Sequence, residues 1–369
     1  MSKIQQSKDI SVNVIDPTRA MSAIIASRGR ALDFNSLGMY LPNPDPILKA
    51  TGKDIRVYRD LRSDAHVAGC IRRRKASIAA LDQQIDRGAA PARVANFIEG
   101  ILDQLPMTRI ISEFLDAALF GYSVSEIMWG TDGNRYIPID IVGKPPEWFL
   151  FSSDNELRFR SKEKMMEGEE LPPRKFLLTR QDATYQNPYG FPDLSVCYWP
   201  TIFKRGGMRF WLKFTERYGS PKIIGKTPRG SKADIVNELL DNLDKLVGDA
   251  VGVIADDQSI ELLETKGGAA SANAFEKFLL FCRSEVSIAL TGTNQTTEAD
   301  ATRASALAGQ EVSRTIRDGD VAMVEETMNT LIRWVVDVNF GETIAAPVFR
   351  MTEEEAVDKT LAERDAILA

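Results

Sequence analysis

The sequence predicts a helix-rich α+β fold on three observations. Apolar residues recur at helical spacing over most of the chain, whereas short alternating segments are concentrated between residues 122 and 180. A compact β-α-β pattern at 219–264 separates two long helical segments. Hydrophobic residues make up 44% and charged residues 27% of the 369 residues, a balance that indicates a chain that folds in water.

Residues 1–40 are interpreted as a flexible N-terminal arm, because Ser, Arg, Asn and Gly interrupt its short apolar islands. A regular helix is expected within residues 64–81, where apolar side chains recur at helical spacing. Four basic residues, Arg72 to Lys75, lie between them. Such a cluster is usually a solvated helix face, with an acidic neighbour or a phosphate as the less common alternative.

Residues 41–193 are expected to form one α+β region. Two helices are predicted at 91–104 and 107–120, the first beginning at a proline and the second ending before a glycine. Residues 122–129 alternate polar and apolar side chains and lead into a Thr-Asp-Gly turn, the pattern of a β-hairpin. Short strands broken by prolines follow, and a turn region rich in Pro, Gly and Asn places a boundary at the end of the region.

Residues 194–218 are predicted to form one long helix with two rows of side chains. Aromatic residues at intervals of seven and four give it an apolar face. Cationic residues at strict four-residue intervals form one inclined basic ridge. The ridge residues are Arg205, Arg209, Lys213 and Arg217. Three interpretations of the ridge stay open: contact with water, salt bridges to a neighbouring subunit, and transient contact with phosphate.

The remaining segments alternate once more between strand and helix. The insert at 219–264 places an amphipathic helix between strand-like segments and is expected to be a separable unit. Helices are predicted at 265–291 and 302–340, and the second would reach about 57 Å if unbroken. The polar connection between them, 292–301, contains no large aliphatic side chain. Taken alone, it is either a solvated helix connection or a functional loop.

Charge and motifs argue against a nucleic-acid coat protein and against an enzyme. Lys plus Arg number 46 and Asp plus Glu 52, so the net charge is −6 and no broad basic surface is expected. The single histidine, His66, lies far from any nucleophile motif and is expected to be structural or exposed. The three cysteines are widely spaced, which predicts neither a disulfide framework nor a zinc site and favours a reducing compartment.

Two strings approach known ligand sites without matching them. Residues 219–227 resemble a phosphate-binding P-loop, but five residues separate the glycines where four are needed, and Pro228 interrupts the helix that must follow. Asp256 and Asp257, with nearby glutamates, could be imagined as a magnesium site, although an Asp-Asp pair before a strand is usually a turn. We therefore expect no cofactor, no metal and no catalytic residue.

No leader and no membrane span are expected. The N-terminal residues lack a long apolar stretch, and the apolar run at 331–338 is interrupted by Arg333 and Asp337. The chain is therefore expected in the cytoplasm, or in a particle assembled there.

Five sequence blocks occur in a fixed order along the chain. They are ALFGYSVSEIMW at 118–129, PRKF at 173–176, the segment from Phe203 to Pro221, TGTNQTT at 291–297 and the segment 331–341. In this order they resemble the Mu-like tailed-phage portal protein family, over roughly residues 38–341. Each block alone is unspecific, whereas five in the same order are fairly specific.

The resemblance implies a portal-type fold with named parts. In chain order these are a flexible arm at 1–40, an α+β wing at 41–193, a first stem helix at 194–218, a small clip insert at 219–264, a second stem helix at 265–291, a tunnel loop at 292–301, a long wing helix at 302–340 and the start of a short or truncated crown at 341–369. The basic ridge then lies on the stem, facing either the channel or a neighbouring subunit.

The resemblance also implies which residues meet DNA and docking partners. The tunnel loop would face DNA through Gly292, Thr293, Asn294, Gln295, Thr296, Thr297 and Glu298. The clip would dock terminase or an adaptor through Lys222, Lys226, Arg229 and Lys232. A polar loop on a net acidic chain suits a conduit, because strong phosphate neutralisation would stall sliding DNA.

The implied function is a ring of usually twelve copies at one capsid vertex of the virion, through which double-stranded DNA is packaged and ejected. The implied partners are further copies of the chain, DNA, the large terminase subunit, the major capsid and scaffold proteins and a head–tail adaptor, without membrane contact. One alternative is a smaller-class head–tail adaptor, which the chain length and the clip-like insert disfavour. Another is a metal-dependent nucleic-acid-processing enzyme built on acidic residues in 249–264, which would require a metal for turnover.

Overall fold

The computed structural model describes residues 40–218, 222–226, 228–246, 259–263, 268–294 and 303–353. The helices in these ranges are α1 Pro46–Thr51, α2 Val57–Leu61, α3 Ala65–Ala79, α4 Ala92–Leu102, α5 Met107–Phe114, α6 Asp116–Phe120, α7 Asp193–Tyr218, α8 Ala233–Leu246, α9 Gly268–Thr291 and α10 Arg303–Phe340. The strands are β1 Asp82–Asp86, β2 Tyr122–Asp132, β3 Arg135–Lys144, β4 Phe149–Phe151, β5 Leu157–Phe159, β6 Glu169–Glu170, β7 Phe176–Arg180, β8 Lys222–Lys226, β9 Ser259–Leu263 and β10 Val348–Thr352. The helix-rich α+β prediction is confirmed.

Side-chain caps fix the starts of two helices in the wing. Asp45 accepts hydrogen bonds from the backbone N–H groups of Ile47 and Leu48, and a proline occupies the first turn of α1. Asp64 caps α3 in the same way, accepting from the N–H of His66 at 2.9 Å. Asp64 also accepts a hydrogen bond from Lys204 Nζ of α7 at 2.8 Å, so the same carboxylate ties α7 to the wing.

An antiparallel sheet of order β3-β2-β7 lies at the centre of the wing. The predicted hairpin is confirmed, and its strands continue to Asp132 and from Arg135, with Gly133 in the turn at φ +57°. Strand β7 pairs with the first half of β2, from Tyr122↔Arg180 to Glu126↔Phe176. A smaller sheet of order β4-β5-β6 completes the region.

Two apolar cores hold the wing together. In the first, helices α4 and α5 and the central sheet pack against the second half of α10, with Ile110, Phe114 and Val336 almost fully buried. In the second, α2, α3, α6 and β4 pack against the start of α7 and the end of α9. Leu194, Cys197 and Phe151 are fully buried in this core. The stem helices are therefore rooted in the wing, and the predicted boundary at 193 is not a break in packing.

A two-stranded sheet joins the ends of the wing and corrects one prediction. Strand β10 pairs antiparallel with β1, and its Phe349 is 1% exposed in the first core. Residues 348–352 belong to the segment 341–369 that was expected to start a crown, and they return to the wing instead. The polar sequence DQQID of β1 has no apolar alternation, so nothing in it indicated a strand. Residues 1–39 of the predicted arm and residues 354–369 lie outside the described residues.

The clip insert has its own small core. Strands β8 and β9 pair antiparallel from Lys222↔Leu263 to Lys226↔Ser259, with α8 between them in the chain. Leu239 of α8 is buried and packs over Gly225 of β8, where a Cβ would lie 2.7 Å from Leu239 Cδ2. The predicted order of strand, helix and strand is confirmed, and Gly225 allows the helix to approach the sheet.

Candidate functional site

Helices α7 and α9 pack side by side in opposite directions and form the stem. The ring centroids of Phe214 and Phe275 lie 5.7 Å apart, whereas a Cβ at Gly207 would lie 3.1 Å from the Phe278 ring. Later residues of α7 thus meet earlier residues of α9. The glycine lets the two backbones approach closely at this point of the seam.

One side of the stem carries an apolar groove of about 680 Å³. Phe203 and Phe210 of α7 and Phe278 of α9 line it and are 52%, 67% and 42% exposed. We call this side, defined by these three residues, the aromatic face. The predicted aromatic row of α7 comprises Phe203, Phe210, Phe214 and Tyr218. It is divided, since Phe214 packs into the seam and Phe203 and Phe210 face solvent, while the side chain of Tyr218 is not among those described.

The other side of the stem carries a wider groove of about 1030 Å³. Met208 and Leu212 of α7 and Leu280 of α9 supply its apolar lining and are 53%, 61% and 43% exposed. We call this side, defined by these three residues, the aliphatic face. Charged side chains, among them Arg209 and Arg283, stand at its rim. Both faces of the stem are thus apolar and uncovered in the single chain.

The residues of the basic ridge differ in their contacts and in their exposure. Arg205 donates hydrogen bonds to the Asp60 carbonyl oxygen and to Ser63 Oγ, each at 2.8 Å, and so ties α7 to the wing. Arg209 and Lys213 are exposed and form no ion pair within the described residues. The side chain of Arg217 lies outside what the structure describes. The interpretation as a uniform ridge is wrong for Arg205.

A buried guanidinium connects the stem to the wing. Arg74 of α3 donates to both carboxylate oxygens of Asp320 in α10, at 2.6 and 2.9 Å, and to Asp193 at the start of α7 at 2.5 Å. It also lies 3.3 Å from the carbonyl oxygen of Leu290, near the end of α9. Burial disfavours the charged guanidinium, but its bonds to Asp320 and Asp193 raise the pKa of Arg74. One side chain therefore holds the root of both stem helices against the long wing helix.

This contact corrects the interpretation of the Arg72–Lys75 cluster as a solvated face. Arg72 and Arg73 are exposed. In contrast, Arg74 pairs with Asp320 and Asp193. Lys75 Nζ lies 2.6 Å from Asp116 Oδ1. The alternative of acidic neighbours is correct for Arg74 and Lys75. Sequence reasoning missed the partners because they are more than 40 residues away in the chain, at helix positions without a local motif.

His66 joins the wing to the second stem helix. Its Nε2 atom lies 2.7 Å from Ser287 Oγ and 3.0 Å from the carbonyl oxygen of Arg283. Burial first, and then the charges of Arg283 and Lys204, lower the pKa of His66. The imidazole is neutral at pH 7 and can donate one hydrogen bond across the junction. The structural role expected from the sequence is the one that this geometry supports.

We expect the stability of the chain to fall below about pH 6.5 because of His66. A lowered pKa means that the unfolded chain takes up a proton first, so stability is full above the ordinary histidine pKa and declines with a slope of at most about 1.4 kcal/mol per pH unit. Urea unfolding at pH 7.5 and 5.5 measures the decline. In His66→Gln the decline should be smaller, because the chain has no other histidine; an unchanged decline would contradict the assignment.

Only the first residues of the predicted tunnel loop are described, and they are packed. Gly292 follows α9 at φ +75°, with a virtual Cβ 2.6 Å from Ile316 of α10. Thr293 is buried, and its carbonyl oxygen accepts a hydrogen bond from Thr291 Oγ1. Asn294 Nδ2 donates to Ser284 Oγ at 2.6 Å. These three residues hold the exit of α9 rather than project from it. Residues Gln295, Thr296, Thr297 and Glu298 lie outside the described part.

The clip lysines and arginine are presented to solvent where the structure describes them. Lys226 at the end of β8, Arg229 in the following turn and Lys232 before α8 are exposed. Lys222 lies in β8, and its side chain is not described. Ile235, Val236 and Leu240 of α8 are also exposed, so the clip presents an apolar surface beside its cationic one. Their role in docking stays a prediction.

The described residues contain no group of three or more His, Cys, Asp or Glu side chains that could hold a metal ion. Asp256 and Asp257, considered above for a magnesium site, lie outside these residues. Cys70, Cys197 and Cys282 are buried free thiols. Among the described helices, none combines the length and the apolar character that crossing a bilayer requires.

Comparison with known sequences identifies the family. The sequence model described as the portal protein of Mu bacteriophage matches residues 55–369. The portal protein of Escherichia phage Mu is 28% identical over 295 residues, which cover 76% of this chain and 56% of the relative. The Mu-like prophage FluMu protein gp29 of Haemophilus influenzae is 28% identical over 277 residues, 72% of this chain and 52% of the relative. The chain spans about half the length of the curated relatives it matches.

Comparison with solved structures supports the same fold. A chain from the neck of the empty gene transfer agent particle, computed with C6 symmetry, has a TM-score of 0.59 at 11% identity, covering 88% of this chain and 92% of that one. A chain from the neck of the native particle, computed with C12 symmetry, has a TM-score of 0.57 at 12% identity, covering 90% and 91%. The family match spans most of the sequence, and the chain belongs to the family of portal proteins of Mu bacteriophage.

Proposed function

We propose that the chain forms a closed ring at one vertex of a phage capsid and that this ring conducts double-stranded DNA during packaging and ejection. Membership of the portal family supports the role. The structural observation that carries the ring is the pair of uncovered apolar faces on the stem, with Phe210 and Leu212 more than 60% exposed. Soluble monomers rarely expose such surfaces, which usually mark contacts between proteins.

Two unlike apolar faces favour a cyclic assembly over a two-fold dimer. A two-fold contact buries one self-complementary patch on each copy, whereas a ring needs two different patches that meet head to tail. The aromatic and aliphatic faces differ in shape and in their charged rims. We propose twelve copies, in agreement with the C12 symmetry of one structurally similar neck.

The proposed channel carries DNA through weak contacts. A net charge of −6 opposes tight binding along the phosphate backbone, which suits a channel through which double-stranded DNA must slide. The exposed Arg209 and Lys213 would supply a limited positive charge on the stem. Residues 295–301 would supply polar contacts as the rest of the tunnel loop.

The other partners are assigned to the parts of the chain that present suitable surfaces. The large terminase subunit and the head–tail adaptor would dock on the clip through Lys226, Arg229 and Lys232, beside the apolar residues of α8. The major capsid and scaffold proteins would contact the wing. A conduit with these partners needs no chemistry of its own, and we propose no catalytic residue.

The native mass of the purified chain tests the ring. We expect a species near 490 kDa for twelve copies of the 41.0 kDa chain, with a central hole in negative-stain images. Measurement at several protein concentrations separates a ring in equilibrium from a stable monomer. A chain that stays a monomer or a two-fold dimer at every concentration, with and without scaffold protein, would contradict the proposal.

A further inference from the structure

Helix geometry relates the two faces of the stem in height. Successive residues of an α-helix are rotated by about 100° and raised by about 1.5 Å, so residues two apart point to opposite sides and differ in height by about 3 Å. Phe210 on the aromatic face therefore lies between the levels of Met208 and Leu212 on the aliphatic face. On α9, Phe278 lies one such step below Leu280 in the same way.

The same two-residue relation holds for a pair of opposite charges on α9, next to the wing. Arg283 rims the aliphatic face, and Glu285 is two residues later on α9, so it points to the opposite side at nearly the same height. Glu285 is exposed and Arg283 is half-buried. Neither side chain forms an ion pair within the described residues. Arg283 and Glu285 thus put a cation and an anion without an ion pair on opposite sides of α9. The aliphatic groove also contains Arg209 and Glu276.

Cyclic symmetry brings equal heights together. Rotation about one axis leaves the height of every residue along that axis unchanged. When the stem is parallel to the channel axis, residues at equal heights on neighbouring copies therefore lie opposite each other. An aromatic knob on one face then meets the gap between two aliphatic side chains at its own height. Arg283 of one copy likewise meets Glu285 of the next.

We infer that the aromatic face of each copy packs into the aliphatic face of its neighbour, with Phe210 between the neighbour's Met208 and Leu212 and with Glu285 opposite the neighbour's Arg283. The inference rests on the proposed ring. It also places Lys213 on the outer edge of the stem, because Lys213 lines neither groove and helical spacing turns it away from α9. Lys213 would then face the channel or the outside, whereas Arg209 stays at the rim of the aliphatic face, beside the neighbour.

A charge exchange tests the contact. Arg283→Glu and Glu285→Arg should each raise the protein concentration at which half of the chains are in rings by roughly tenfold, because like charges then meet between copies. The double variant R283E/E285R should return to within about threefold of the original value. Since residues two apart on one helix do not face each other, such a rescue must arise between copies. Analytical ultracentrifugation at low salt measures all four proteins.

A control and a cross-linking measurement complete the test. Lys213→Glu, on the edge, should leave ring assembly unchanged. Mild oxidation should link chains that carry both Phe210→Cys and Leu212→Cys into a ladder up to the full ring, whereas each single variant should give no ladder. Rings without rescue and without a ladder would overturn the contact and leave the ring standing. Disulfide-linked dimers of either single cysteine variant would show that identical faces of two copies meet. That result would also overturn the inferred contact. Failure of the original chain to form rings would contradict the ring proposal itself and this contact with it.

Discussion

Replacing Arg74 by Met is expected to destabilise the folded chain by about 3–5 kcal/mol. The guanidinium is 9% exposed and is the shared partner of Asp320 and Asp193. Without it, the buried carboxylate of Asp320 and the half-buried carboxylate of Asp193 retain, among the described residues, only Gln181, which donates to Asp193 at 2.8 Å. An uncompensated buried charge costs more than the ion pair contributes, so the loss exceeds that of an exposed arginine.

Urea unfolding of three variants separates charge from packing. Arg72→Met, on the exposed side of the same helix, should change the free energy of unfolding by less than about 0.5 kcal/mol. The triple variant R74M/D193N/D320N should recover a large part of the loss, because the carboxylates are then neutral. A loss for R74M no greater than for the Arg72 variant would contradict the proposed role of the buried cluster.

The elements of the fold were largely predictable because their signals are local. The stem helices and the long wing helix have apolar spacing over many turns, and the β2–β3 hairpin has alternation followed by a turn. The β1–β10 sheet was not predictable, since Asp82 to Asp86 is a polar segment whose partner lies more than 250 residues away. Its pairing depends on the tertiary packing of Phe349 and on no local preference.

The candidate site was predictable as a location and less so in its detail. Four-residue spacing places Arg205, Arg209 and Lys213 on one side of α7, but spacing cannot reveal that Arg205 reaches the wing. The packed exit of α9 at Thr293 was likewise hidden, because a polar sequence is equally compatible with a loop in water. The two faces of the stem could not be predicted, because they depend on which side of α7 is covered by α9.

Gly190→Ala is expected to lower the free energy of unfolding by about 4 kcal/mol or more, beyond the range of ordinary point substitutions. Gly190 has φ +71°, and a Cβ there would lie 2.3 Å from both the Gln181 and the Gly121 carbonyl oxygens. Gly121 is equally constrained, with φ +87° and a virtual Cβ 2.5 Å from the Tyr189 carbonyl oxygen. These obstacles are backbone atoms, so no rotamer change relieves them, and the left-handed conformation adds about 1–2 kcal/mol. The start of β2 and the approach to α7 would have to separate.

Gly88→Ala is the matched control, because Gly88 also has positive φ, at +49°, but open space around its Cβ position. It should cost only the conformational part, about 1–2 kcal/mol. The difference between the two urea midpoints, at equal m-values, measures the steric part alone. Equal losses would contradict the close backbone contact. Because this contact precedes Asp193 and the root of α7, the Gly190 variant should also lose rings at concentrations where the Gly88 variant retains them.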